Sequence, residues 1–132
     1  MNPVVEILDS TLRDGAQGEG ISFSVEDKLS IVKALDQIGV QYIEAGNPGS
    51  NPKDLEFFRR AGALSLLHAR LVAFGSTRRK NIQVEQDKNI RALLSANTSA
   101  VAVFGKCWRL HVKEILSTTA QENLRMIYDT CR

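Results

Sequence analysis

The chain has 132 residues, of which 43% are apolar and 24% charged, and its formal net charge is +2. These values fit one globular domain with a modest core and exclude a disordered tail. The near balance of 17 basic and 15 acidic side chains argues against nucleic-acid binding, and no apolar run approaches the roughly 18 residues that a membrane span needs.

The amino terminus and the cysteines indicate the compartment. The first residues lead directly into an apolar strand, without the basic region and apolar core of a secretory leader. Cys107 and Cys131 are then expected to be free thiols in a reducing environment. We therefore expect a cytoplasmic protein that is neither exported nor inserted in a membrane.

The first predicted unit is a strand over residues 4–8 followed by a polar loop and a helix. Ser24 as N-cap with Asp27 in the first turn predicts the start of this helix, and Gly39 predicts its end. Apolar residues recur between them at helical spacing, namely Leu29, Val32, Leu35 and Ile38.

The second unit begins with a strand over residues 40–43. Residues 44–51 are rich in turn formers and are expected to form a loop. Asn51 as cap and Pro52 at the first helical position predict a helix that ends near Gly62.

The third and fourth units follow a connector at residues 64–67. We expect strands over residues 71–74 and 100–104 and a helix over residues 84–96, whose apolar side chains Ile90, Leu93 and Leu94 face inward. A short helix is expected around Val112.

Thr119 and Glu122 form a predicted capping box that opens a last helix through Leu124, Ile127 and Tyr128. This helix runs to Arg132 with no Gly or Pro stop, so we expect the chain to be cut in or after the fourth unit.

The four units share one period. Asp14, Glu44, Phe74 and Phe104 stand 30 residues apart, each just after a predicted strand. Repeated strand–helix units of this length indicate a parallel α/β sheet, because a parallel strand needs a long crossover. Four such units make half of an eight-stranded barrel, which exposes strand edges, and we therefore expect self-association.

Arg13 and Asp14 are the leading candidates for chemistry. They follow the first strand, and the carboxyl ends of parallel strands are where barrel enzymes place their active sites. A carboxylate can bind a divalent metal ion, and a guanidinium can stabilise an oxyanion. The alternative is a surface ion pair.

Glu44 occupies the equivalent place after the second strand. It either orients Arg13 or a metal-bound water, or it is a buried acid neutralised by Arg13, and both can hold together. Residues 76–79, which include Ser76 and two arginines, can bind an anion, although a solvated basic loop is slightly favoured. His68 lies at the wrong end of its strand for a barrel site, whereas His111 lies nearer the expected face.

Several motifs together resemble a known family. DSTLRDGAQ at residues 9–17 resembles the amino-terminal signature of the metal-dependent aldolase and Claisen-condensation barrels. These include the isopropylmalate, homocitrate and citramalate synthases and the hydroxymethylglutaryl-CoA lyases. The glycine-rich loop over residues 43–51, PKD at residues 52–54, FGSTRR at residues 74–79 and the segment from FGK to Val112 are most similar to the citramalate synthase branch.

The resemblance implies a TIM barrel of which residues 1–132 are the amino-terminal half. It implies that Arg13 and Glu44 are catalytic and that Asp14 binds a divalent metal ion, Mn²⁺, Mg²⁺ or Zn²⁺. Arg13, Gln17 and Ser76 are expected to bind substrate. The family's other ligands, a His-x-His pair and an asparagine, have no counterpart here, so this chain alone is expected to be inactive or nearly so.

The implied activity is condensation of acetyl-CoA with a 2-oxo acid, with pyruvate favoured, in branched-chain amino-acid synthesis. The alternatives are isopropylmalate or homocitrate synthesis, thioester cleavage of the hydroxymethylglutaryl-CoA lyase type, and a non-catalytic half-barrel that pairs with itself. The expected partners are these small molecules and a second copy of the chain.

Overall fold

The computed structural model describes residues 5–132 and contains one four-stranded parallel sheet in the order β1-β2-β3-β4. The strands are β1 (Leu8–Asp9), β2 (Tyr42–Gly46), β3 (Arg70–Ser76) and β4 (Ala100–Phe104). The helices are α1 (Val25–Gln37), α2 (Pro52–Ala61), α3 (Lys88–Ser95) and α4 (Ala120–Cys131). Short 3-10 turns span Gly15–Gln17 and Val84–Gln86, and a π-helical turn spans His111–Ile115. The strand–helix alternation confirms the predicted α/β units.

Side-chain caps fix where the helices begin. The Ser24 hydroxyl accepts from the Asp27 amide and the Asp27 carboxylate accepts from the Ser24 amide, which completes the predicted capping box of α1. Asn51 caps α2 by accepting from the Asp54 amide, and Pro52 is its first residue. These local signals are strong because each satisfies a backbone donor that the helix itself leaves unpaired.

The core lies between the sheet and the helices on its outer face. Several of its side chains are completely buried, namely Leu12, Val32, Ile43, Ala45, Phe57 and Ala73. The rings of Phe57 and Phe58 pack edge to face with centroids 5.1 Å apart. None of the helices in residues 5–132 is long and apolar enough to cross a bilayer.

Three strands differ from their predicted bounds. The first strand contains only Leu8–Asp9 of the described residues, and Val4 lies outside those residues. The second begins at Tyr42 and continues through Glu44 to Gly46, so Glu44 is a strand residue and not a loop residue. The third runs over Arg70–Ser76 and is longer than predicted, because parallel pairing with both neighbours extends it.

The helices also differ from the predictions in their bounds, buried faces and caps. Asp87 accepts from the Asn89 and Ile90 amides and so interrupts the predicted helix over residues 84–96, leaving a 3-10 turn before α3. Leu94 is 72% exposed and does not face inward, and Ile38 is also exposed. The capping box of α4 is half formed, because the Glu122 carboxylate bonds Arg78 instead of the Thr119 amide.

Candidate active site

Arg13 is held by a tight turn at the carboxyl end of β1. The amides of Arg13, Asp14 and Gly15 all donate to the Ser10 carbonyl, at 3.1, 2.8 and 3.1 Å. The Asp9 carboxylate accepts from the Thr11 amide and hydroxyl, at 3.0 and 2.9 Å. The backbone that carries Arg13 is therefore fixed by local hydrogen bonds before any side chain is placed.

The Arg13 guanidinium bonds two carboxylates. Its Nε donates to Glu44 Oε2 at 2.6 Å, and its NH1 donates to Asp14 Oδ1 at 2.9 Å. The Glu44 side chain is 6% exposed whereas that of Asp14 is 65% exposed. Glu44 is thus a buried acid whose charge Arg13 neutralises.

Phe74 completes this cluster from the next strand. The Arg13 guanidinium carbon lies 4.3 Å from the centroid of the Phe74 ring, which is cation–π geometry. Residues at the ends of β1, β2 and β3 therefore meet around one guanidinium. Phe104, the fourth member of the 30-residue period, instead lies beside Lys106, whose Nζ is 5.0 Å from the ring centroid.

A cavity of about 270 Å³ opens beside Arg13, and we call it the Arg13 cavity. Arg13, Gln17, Asn47, Lys53 and Phe74 are among its lining residues. Guanidinium, ammonium and amide groups line one small space, so the cavity can hold a small polar or anionic molecule against the guanidinium.

Ser76 is not part of this cluster. It lies at the exposed end of β3, outside the lining of the Arg13 cavity, and its carbonyl accepts from Asn89 Nδ2 at 2.7 Å. The structure therefore separates Ser76 from Arg13 and Gln17, the other two residues expected to bind substrate.

Arg78 corrects the slightly favoured interpretation of residues 76–79 as a solvated loop. Its side chain is 6% exposed and bonds two acids of α4, with Nε 2.8 Å from Asp129 Oδ2 and NH1 2.9 Å from Glu122 Oε1. Burial opposes the charged form of Arg78, but the hydrogen bonds that Arg78 donates to Glu122 and Asp129 outweigh it and raise the Arg78 pKa. The same contact with Arg78 lowers the pKa of Glu122.

An ion pair beneath the Arg13 cavity was missed by sequence reasoning. Lys28 on α1 and Asp54 on α2 are both buried, and Lys28 Nζ lies 2.6 Å from Asp54 Oδ1. Both residues line the cavity. Nothing in the local sequence pairs two residues 26 positions apart, so no sequence signal for this contact exists without the fold.

The histidines do not join the cluster. His68 lies before β3, where its amide donates to Asp36, which confirms that it is at the opposite end of the strand. The His111 ring packs at 4.6 Å on the ring of Trp108, the lone tryptophan, and is outside the lining of the Arg13 cavity.

A metal ion does not fit the residues described here on their own. Within residues 5–132 there is no group of three or more His, Cys, Asp or Glu side chains that could hold one. Asp14 is the exposed carboxylate of the Arg13 cluster, and one of its oxygens already bonds Arg13. A stable site of this kind needs several protein ligands.

The chain is similar in sequence to (R)-citramalate synthases and to a homocitrate synthase. It is 52% identical over 126 residues to an (R)-citramalate synthase from Aquifex aeolicus, an alignment that covers 96% of this chain and 24% of the relative. It is 55% identical over 124 residues to an (R)-citramalate synthase from Synechocystis sp., covering 94% of this chain and 23% of that relative. A homocitrate synthase from Sulfolobus acidocaldarius is 35% identical over 129 residues, covering 96% of this chain and 26% of the relative.

The chain spans about a quarter of the length of these curated relatives. Its fold matches the crystal structure of the HMG-CoA lyase of Bacillus subtilis with a TM-score of 0.67 at 19% identity, over 96% of this chain and 41% of that one. This match confirms the predicted partial barrel. Residues 4–132 match the profile of the HMGL-like family over nearly the whole chain. The chain therefore belongs to the HMGL-like family.

Proposed function

We propose that this chain is the amino-terminal half of the (β/α)₈ catalytic barrel of a citramalate synthase-like acyltransferase. The observation that carries the proposal is the Arg13–Glu44–Phe74 cluster at the carboxyl edge of the sheet. It occurs in a chain about half identical to (R)-citramalate synthases along nearly all of its length. In barrel enzymes this edge is where catalytic groups lie.

The proposed reaction condenses acetyl-CoA with a 2-oxo acid, with pyruvate as the favoured acceptor. The acetyl methyl carbon loses a proton and forms a bond to the keto carbon, and the keto oxygen becomes an alkoxide that takes up a proton. Water then cleaves the thioester, which releases the free thiol of CoA and a dicarboxylic hydroxy acid. The product from pyruvate would be citramalate, a precursor in branched-chain amino-acid synthesis.

The residues of this chain have distinct proposed roles. Arg13 stabilises the negative charge that develops on the reacting oxygen, because a fixed guanidinium costs no reorganisation during the reaction. Glu44 holds Arg13 in place through the 2.6 Å contact. Gln17 contacts the substrate in the Arg13 cavity, and Ser76, which lines a neighbouring cavity, contacts a more distant part of a long substrate.

A divalent metal ion, Mn²⁺, Mg²⁺ or Zn²⁺, belongs to this proposal with Asp14 as one of its ligands. The described residues do not complete such a site, so its other ligands would come from the remainder of a longer polypeptide. We accordingly propose that this chain alone does not turn over substrate.

The test is an assay of thiol release. The longer protein that contains this chain is incubated with acetyl-CoA and pyruvate, and free CoA thiol is followed with a chromogenic disulfide. We expect release that needs both substrates, and none from residues 1–132 alone. Release with 2-oxoisovalerate or 2-oxoglutarate but not pyruvate would reassign the protein to isopropylmalate or homocitrate synthesis. Cleavage of hydroxymethylglutaryl-CoA without condensation would make it a lyase.

A second candidate is a non-catalytic half-barrel that self-associates. Within residues 5–132, β1 and β4 each pair on one side only. Exposed apolar side chains accompany both edges, such as Leu8 at 52% and Phe104 at 50%. Equilibrium sedimentation of the chain tests this candidate: a dimer is expected, and a folded monomer at all concentrations would contradict it.

We also propose a cytoplasmic location. Cys107 and Cys131 are both exposed and free, which suits a reducing compartment. Fractionation of cells that produce the longer protein would test this, and recovery in an exported fraction would contradict it.

A further inference from the structure

Lys28 and Asp54 are buried charged residues to which the proposed reaction gives no role. The side chain of Lys28 is 3% exposed and that of Asp54 is 10% exposed. A buried ion pair adds little net stability compared with apolar side chains of similar size, because both charges lose their hydration. Stability alone is thus a weak reason for the pair, and its contacts with β2 indicate a second one.

Strand β2 contains a bulge at Ala45. This residue lies between Glu44 and Gly46, which pair with two consecutive residues of β3, so Ala45 has no partner of its own in that strand. A bulge bends its strand and changes the direction of the neighbouring side chains, and bulges are common beside active sites. The Glu44 carboxylate is therefore presented to Arg13 from an irregular part of the strand.

Lys28 and Asp54 bond the backbone of this bulge. Lys28 Nζ donates to the Ala45 carbonyl at 3.0 Å and to Asp54 Oδ1 at 2.6 Å. Asp54 Oδ2 accepts from the Asn47 amide at 2.9 Å. Gly46 lies between these two bonded residues with a φ of +140°, and a Cβ there would lie 2.6 Å from Asp54 Oδ2. The ion pair therefore fills the space beside the bulge and ties its backbone to α1 and α2.

A second ion pair joins the same two helices at the surface. Glu26 on α1 bonds Arg60 on α2, and their side chains are 68% and 38% exposed. The hydrogen bond between them does not involve β2. Since an exposed pair already links α1 to α2, the contact with the bulge is what distinguishes Lys28 and Asp54.

We propose that Lys28 and Asp54 are positioning residues, which hold the bulge of β2 so that Glu44 keeps the Arg13 guanidinium at the Arg13 cavity. They act through Glu44, and their side chains form no bond to the substrate. This inference rests on the proposed function, from which the role of Arg13 at the reacting oxygen is taken.

The test variant is Lys28→Met with Asp54→Leu in the proposed longer protein. Replacing both charges by apolar side chains leaves no unpaired ion and often preserves stability, but it removes the bonds to Ala45 and Asn47. The matched control is Glu26→Gln, which weakens the exposed pair between the same two helices. Thiol release is measured with acetyl-CoA and pyruvate.

We expect the kcat of the test variant to fall at least about tenfold, because a displaced guanidinium no longer meets the reacting oxygen in the right geometry. The KM for acetyl-CoA should stay unchanged, and the Glu26→Gln control should keep wild-type kinetics. A wild-type kcat in the folded test variant would overturn the proposal, as would an equal fall of kcat in the control.

A double-mutant cycle with Glu44→Gln distinguishes positioning from a general loss of structure. If the ion pair acts through Glu44, adding the test substitutions to Glu44→Gln lowers kcat little further, so the two effects are far from additive. Losses that multiply in the combined variant would show that the ion pair acts independently of Glu44 and would overturn the proposal.

A second set of variants applies if the test variant does not fold, as judged by circular dichroism. Lys28→Gln and its conservative counterpart Lys28→Arg then replace it. A loss of kcat in Lys28→Gln that Lys28→Arg restores supports the positioning role, whereas equal kcat in the two variants overturns it.

Crystal structures of wild type and the test variant give a readout that does not depend on turnover. We expect the contact between Arg13 Nε and Glu44 Oε2 to be broken in the test variant, and an unchanged contact would overturn this inference. If wild type condenses acetyl-CoA with a 2-oxo acid while the test variant keeps both the contact and kcat, only the positioning role is wrong. If the contact breaks as expected but wild type neither condenses its substrates nor releases thiol, the proposed function fails and the positioning of Arg13 stands.

Discussion

Lys28 and Asp54 connect two helices to the strand that carries Glu44. Lys28 Nζ lies 2.6 Å from Asp54 Oδ1 and 3.0 Å from the Ala45 carbonyl, and Asp54 Oδ2 accepts from the Asn47 amide at 2.9 Å. Ala45 directly follows Glu44 in the chain. The end of β2 is thus hydrogen-bonded from both α1 and α2, which fixes the backbone that presents Glu44 to Arg13.

Substitution of Lys28 by methionine should destabilise the fold strongly. The change leaves Asp54 buried without its charge partner, and breaking a buried pair from one side costs about 3–5 kcal/mol. Urea unfolding followed by circular dichroism measures the free energy of unfolding. Lys33→Met on the exposed face of the same helix is the control, and its effect should stay within about 0.5 kcal/mol. Equal effects of the two substitutions would contradict a role for the pair.

Gly46→Ala should also destabilise, for a reason that combines backbone and packing. Gly46 has a φ of +140°, and a Cβ there would lie 2.6 Å from Asp54 Oδ2 and 2.9 Å from Lys28 Nζ. The added methyl group would have to displace the buried ion pair. Gly39→Ala is the matched control, because Gly39 has a φ of +85° but open space around it, so only the backbone cost of about 1–2 kcal/mol remains. In thermal unfolding, the Tm of Gly46→Ala should be lower than the Tm of Gly39→Ala. The reverse order would refute the steric argument.

Local signals allowed much of the fold to be predicted. Ser24, Asn51 and Pro52 act through contacts within a few residues, so the starts of α1 and α2 follow directly from the sequence. The 30-residue period correctly indicated parallel units, because it reflects the length of a strand with its crossover helix. The period relates Glu44 to Asp14, the neighbour of Arg13, and the structure places Arg13 Nε 2.6 Å from Glu44 Oε2.

The remaining features depend on tertiary contacts. Glu44 and Gly46 are poor strand formers, and β2 includes them because it pairs with β3 across an irregularity between these two residues. Arg78 is buried because α4 brings Glu122 and Asp129 to it from more than 40 positions away. No local pattern contains such information, so a basic loop and a buried ion pair look the same in the sequence.

In the proposed longer protein, Arg13→Ala and Asp14→Asn should each lower kcat by roughly 10² or more, because each removes a charged group proposed to act on the reacting oxygens or the metal ion. Steady-state thiol release with acetyl-CoA and pyruvate measures this. Arg109→Ala, which removes an exposed arginine from the helical turn between β4 and α4, is the control and should retain normal turnover. Near-normal activity of both site variants would remove the basis for the site assignment.

Glu44→Gln tests whether Glu44 acts by holding the Arg13 guanidinium in position. The amide keeps the size of the side chain but loses the charge-assisted contact that Arg13 Nε makes at 2.6 Å. We expect a smaller loss of kcat than in Arg13→Ala, because the guanidinium remains present but is less firmly held. The comparison is made in the same thiol-release assay, with circular dichroism to verify folding. A loss greater than that of Arg13→Ala would show that Glu44 does more than orient the arginine.

Asp36→Asn should give a stability difference that depends on pH. Hydrogen bonds donated by the Leu67, Ala69 and His68 amides, at 3.0, 2.7 and 2.8 Å, lower the pKa of Asp36 in the folded chain. The folded state therefore favours the carboxylate form of Asp36. The stability that this carboxylate adds to the fold is fully present above the unfolded pKa of about 3.9. It is lost as the pH falls through the lower pKa of the folded state. Wild type should melt at a higher temperature than Asp36→Asn at pH 7, and this gap in Tm should narrow as the pH is lowered below about 4. A gap that is the same at pH 7 and pH 3 would show that the Asp36 charge does not hold the connector before β3 in place.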